Sequence, residues 1–170
     1  MAGVDPQRAT TIEPADVGLS QHSSYVVYSQ TKYGGKITNV ARFGRGASAV
    51  RVTEHACKGA SQCGDKTQLF IAAPVLQNGW AVLGETTKMV AVSTQRISSI
   101  IAFTNSSGSS TSSATAAVVV ELMGSAGEAV EMGFMAATGD IVLIGCTISM
   151  SGRVRMVAGI NADEACQVAE

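Results

Sequence analysis

Reactive side chains are scarce in this 170-residue chain, and the few present gather in one place. The segment HACKGASQC, from His55 to Cys63, holds one of the two histidines and two of the four cysteines. Three readings of it compete. His55, Cys57 and Cys63 could supply three metal ligands, but a fourth is missing and the spacing is not that of a zinc knuckle. Cys57 and Cys63 could form a disulfide, within their loop or with the same loop of a neighbouring subunit. They could also remain free thiols. Cys57 as a nucleophile with His55 as its base lacks a third group to orient the imidazole. Cys146 lies in the apolar run Ile141–Met150 and reads as a small core residue. Glu128 and Glu131 are three apart and Glu54 adjoins His55, yet such pairs are ordinary on solvated faces. No nucleotide or metal signature is present. The chain is therefore expected not to be an enzyme and to carry no cofactor.

The basic residues are unevenly placed. Lys32, Lys36, Arg42, Arg45, Arg51 and Lys58 make up half of the 12 Lys and Arg, opposed in that stretch only by Glu54. If Lys36, Arg42, Arg45 and Arg51 share a face, that face would meet phosphate, and nucleic acid becomes a candidate partner through residues 32–58. Ordinary strand-edge charge is the competing explanation. The net charge of −1 gives no global basic footprint.

The elements that must position these residues are short strands. Charged residues are 15% of the chain against about 25% in ordinary globular proteins, and aromatics are 5%. A surface so poor in charge suggests cover by copies of itself, or a skin of neutral Gly and Ser. Residues 1–20 contain two of the three prolines and read as an extended N-terminal arm. Residues 21–170 then form a single β-rich domain. Period-two alternation predicts strands at 23–29, 36–43, 48–55, 67–73, 80–83, 88–93, 97–103, 116–123, 141–149 and 153–159. A helix is an alternative around Thr94–Ile101. Gly34–Gly35 and Asn78–Gly79 are turn signals. The Ser-rich run 105–113 is expected to be an exposed flexible loop. Segment 126–137 fits a strand or a helical stripe; its glycines and all-β neighbourhood favour the strand. Asn161 with Glu164 three residues on could cap a short C-terminal helix. The expected fold is an all-β or strongly β-dominated antiparallel sandwich or barrel with that short helix.

No signal peptide is apparent, and no apolar run approaches the roughly 20 residues that span a bilayer. The expected location is the cytoplasm or a virion, with no membrane.

Two resemblances point the same way. CKGASQC, between AVRVTEHA and TQLFIAA, resembles the cysteine-bearing loop between two long strands in coat proteins of small RNA bacteriophages. There such loops meet at symmetry axes and can be crosslinked, which implies the same for Cys57 and Cys63. That family ends in two long helices, which residues 115–170 do not match. Residues 117–166 resemble the bacterial microcompartment shell domain, with Glu121, Gly124, Gly145 and Ser151–Val154 at compatible spacings. This resemblance implies a C-terminal α/β shell domain behind a β-rich N-terminal part, and it requires 126–137 to be helical. Both families tile closed shells by symmetric contacts. The expected function is a structural subunit that self-assembles into a shell, a viral capsid (coat) protein first and a microcompartment shell protein second. A carbohydrate-binding β-sandwich module is the third reading. It would need Trp80, Tyr25, Tyr28 and Tyr33 exposed as stacking platforms.

Overall fold

A computed structural model describes residues 9–30, 37–44, 50–53, 69–88, 91–104, 116–159 and 165–167. In chain order the strands are β1 (Ala9–Ile12), β2 (Ser24–Gln30), β3 (Ile37–Gly44), β4 (Val50–Thr53), β5 (Leu69–Pro74) and β6 (Ala81–Glu85). They continue as β7 (Ile97–Thr104), β8 (Ala116–Met123), β9 (Ala129–Met135), β10 (Ile141–Thr147), β11 (Arg153–Ala158) and β12 (Cys166–Gln167). A 3-10 turn, Pro14–Val17, follows β1. The β-dominated antiparallel reading is correct: every strand pairing among the described residues is antiparallel.

The main body is a sandwich of two sheets, β10-β9-β6 and β12-β11-β8-β7. Alternation makes it. On β8, Val118, Val120 and Leu122 are fully buried while their neighbours are half-exposed. They meet Val154 and Met156 of β11, Val130, Met132 and Phe134 of β9, Ile144 of β10 and Trp80 in one core. Burial of such side chains stabilises by roughly 1.5–3 kcal/mol each before chain entropy is subtracted.

The third sheet, β3-β2-β5, covers the other face of β6 and β9. Val26, Tyr28 and Ala73 pack on Ala81, Leu83 and Met135. The buried Tyr28 hydroxyl donates to the Leu83 carbonyl, and burial pushes its pKa well above the ordinary phenol value. Gly133 is buried in this contact: a Cβ on it would stand 2.8 Å from Ile37 Cδ1, so a side chain there would make the Ile37 tip shift. The fourth layer is a ribbon of β1 and β4.

Several expectations are corrected. Segment 126–137 contains strand β9, so the helix that the microcompartment resemblance needs is absent from it. The expected strand 88–93 is not seen: residues 89 and 90 lie outside the described set, and Ala91 and Val92 form a bend. The Ala91 carbonyl is instead drawn onto β6 by the Glu85 N–H, at 2.8 Å. The alternative helix at 94–101 is a turn leading into β7. The region proposed for a C-terminal helix is described only at 165–167, where Cys166–Gln167 is extended and paired with β11. Of the N-terminal arm, residues 9–20 are described and lie on the chain's own body, with Ile12, Val17 and Leu19 facing the outer side of β2 and β3. The loop 105–113 lies outside the described residues.

Candidate functional site

The densest chemistry lies at one end of the sandwich. A tight turn, with Arg96 and Ile97 N–H both donating to the Ser93 carbonyl at 2.9 and 2.7 Å, sets Arg96 at the mouth of β7. Glu85 arrives at the end of β6 with its side chain only 2% exposed. Glu128 comes from the turn before β9. Arg96 Nε and Nη2 donate to Glu85 at 3.0 and 3.2 Å, and Nη1 and Nη2 donate to Glu128 at 2.9 and 2.8 Å. Nη1 also reaches the Met123 carbonyl at 3.0 Å. A guanidinium has five N–H donors in a fixed fork, and all are taken. Lys88 Nζ lies 3.1 Å from Glu128.

This arrangement holds four strand ends together and uses every Arg96 donor. The Arg96 hydrogen bonds, and then the one from Lys88, hold the Glu128 carboxyl down at about 2, so it neither gives nor takes a proton near neutrality. Glu131 does not pair with Glu128 as a general acid and base. It accepts from the Thr86 hydroxyl instead. Among the described residues no group of three or more His, Cys, Asp or Glu could hold a metal ion. His55, Cys57 and Cys63 lie outside the described residues, as do Lys36 and Arg45.

The basic stretch is only partly in view. Arg42 is exposed on β3 and its Nη2 donates to the Ala137 carbonyl at 3.2 Å. The backbone of Arg51 lies on β4, opposite Thr11. Of the four cations only Arg42 has a described side chain.

The cysteine at 146 has a role that the sequence did not reveal. Cys146 on β10 and Cys166 on β12 form a disulfide with their α-carbons 5.8 Å apart. It clips the edge of one sheet to the edge of the other. The readable signal was the even cysteine count.

Three of the four aromatic residues named for a sugar platform are spent elsewhere, and Tyr33 lies outside the described residues. Trp80 and Tyr28 are core residues, and Tyr25 is half-buried with its hydroxyl accepting from the Ser20 N–H. A cavity of about 250 Å³ under the N-terminal segment is lined only by apolar side chains, among them Leu19, Val27, Phe43 and Phe70. It offers no group to orient a ligand.

What the described surface does present is apolar strand. On β7 every residue from Ile100 to Thr104 is exposed, including Ile100 at 40%, Ile101 at 45% and Phe103 at 45%. On β10, Ile141 and Leu143 are exposed. The disulfide fixes β10 beside β12, while β7 closes the opposite side of the same four-stranded sheet. The two apolar strips therefore lie at opposite edges of the sandwich. No family model, curated protein or solved structure matches the chain.

Proposed function

We propose that this chain is a structural subunit that assembles with copies of itself into a protein shell, of the coat (capsid) kind. One observation carries the reading: two uncharged apolar strand strips lie on opposite sides of one sandwich. A single such patch stops at a dimer, whereas two on opposite sides extend an array and can close it. The described chemistry supports the same class, because its one charge cluster is saturated internally.

Two features favour a coat over a metabolic shell. β9 is a strand where the shell domain would need a helix. The Cys146–Cys166 bond also suits a particle that leaves the reducing cytosol, since disulfides persist at virion surfaces and rarely inside cells. Burial of Trp80 and Tyr28 weighs against the carbohydrate-binding module. Nucleic acid remains the proposed cargo, met through Lys36, Arg42, Arg45 and Arg51 by phosphate contacts that weaken with salt. Sizing chromatography with ultraviolet detection tests the reading. A coat protein elutes as a large particle, with nucleic-acid absorbance that nuclease or high salt removes. Elution at the 17.4 kDa monomer mass under all conditions contradicts it.

A further inference from the structure

We propose that β7 is the surface through which two copies of this chain join, edge to edge and antiparallel, about a two-fold axis at Ile101. This rests on the assembly reading above and names its contact.

Edge strands of lone β proteins are blunted by charges, prolines, or a covering loop. β7 runs for eight residues, Ile97–Thr104, with no charged residue and no proline. Its bulge, between Ile97 and Ser99, leaves the stretch beyond it regular. Such an edge suits a neutral, apolar occupant, and a second β7 is one. Antiparallel pairing about Ile101 sets Ile101 against its own copy, Ile100 against the other copy's Ala102, and Phe103 against the other copy's Ser99. Each pair stays on one face, as the pleat requires.

The surroundings agree. On the outer face, Ile101 stands next to Val119 and Phe103 next to Ala117, so the apolar strip widens inward from the edge. The nearest charges there, Glu121 and Arg155, are bonded to each other at 2.7 Å, so two faces meet without repulsion. Joining two edges would turn the four-stranded sheet into an eight-stranded one. A specific interface clears about 1,000 Å², and the pairing of one short strand is a small contact on that scale. That fits a contact that is weak singly and repeated in a shell.

Two variants of the full chain test this. Ile101→Lys puts a charge on an exposed position opposite its own copy, so the fold should keep its melting temperature. The concentration at which the assembled species forms should rise at least tenfold. Ile101→Cys should give a reductant-sensitive dimer under mild oxidation, since directly paired α-carbons lie within disulfide range. Ile100→Cys, offset from its copy, should not. Unchanged assembly in Ile101→Lys, or no dimer from Ile101→Cys, overturns the β7 contact while the shell reading stands on another surface. A wild-type chain that stays monomeric overturns both. A β7 edge occupied by an unrelated protein, with no Ile101→Cys homodimer, overturns the contact alone.

Discussion

β6 and β7 stand at the ends of the two sheets of one sandwich, and they are finished in opposite ways. All five residues of β6 are buried. Its free side is closed by the Val75–Ala81 bridge and by the Ala91 carbonyl, which presses so close on Gly84 that a Cβ would stand 2.3 Å away. Among the described residues β7 has no such cover beyond Ile97, apart from the Asn78 amide that donates to the Phe103 carbonyl at 3.2 Å. Among the described residues, one edge is thus protected with a bend, a glycine and a partly buried ion cluster, and the other carries no paired strand. An unprotected apolar edge is a hazard unless something uses it, which is why the difference points to assembly.

The largest expected effect comes from the cluster that anchors the protected side. Arg96→Ala leaves the buried Glu85 with only the half-exposed Lys88, 3.5 Å away, as counter-charge, and breaking a buried pair costs up to about 3–5 kcal/mol. Urea unfolding should show it; a loss below about 1 kcal/mol would mean that solvent already reaches the cluster. Next is the clip across the β10 side. Cys146→Ser with Cys166→Ser opens a loop with a sequence separation of 20, for a loss of about 3 kcal/mol seen equally on reducing the wild type. Equal stability with and without reductant would remove the clip from the comparison.

Gly84→Ala attacks the finish of β6 directly. Its φ of +94° and the Ala91 contact make any side chain strained, for roughly 2 kcal/mol. If the bend is expelled, β6 becomes a second open edge and the variant should also aggregate. Acid acts on the same corner. The Glu128 carboxyl titrates at about 2 in the fold against 4.5 ordinarily, so its charged form is the one the fold favours. Its contribution is fully present above pH 4.5 and is lost as pH falls towards 2. Glu128→Gln should flatten that part of the stability profile. The smallest effect is at the exposed pair: Arg155→Ala, 44% exposed, should cost less than about 1 kcal/mol.

Alternation made β8, β10 and most of β11 readable from sequence, because each has one covered and one open face. β6 is buried throughout, so nothing in its pattern says which side is which. The run Met89–Ser93 looks like a strand because the capping use of the Ala91 carbonyl is a tertiary event. Arg96 draws its partners from 11, 27 and 32 residues away, distances that no local spacing encodes. The Cys146–Cys166 bond was hidden because four cysteines admit several pairings and Cys146 sits in an apolar run. β7 was the nearest miss. Its position was clear, and its want of charge was visible, but that it forms an edge follows only from the sheet order.

Light scattering across a dilution series of the intact, oxidised chain probes the bare edge most directly. If β7 and the β10 strip are contact surfaces, the molar mass rises with concentration in multiples of 17.4 kDa, and Ile101→Lys lowers it at unchanged melting temperature. A mass fixed at 17.4 kDa at every concentration contradicts self-assembly.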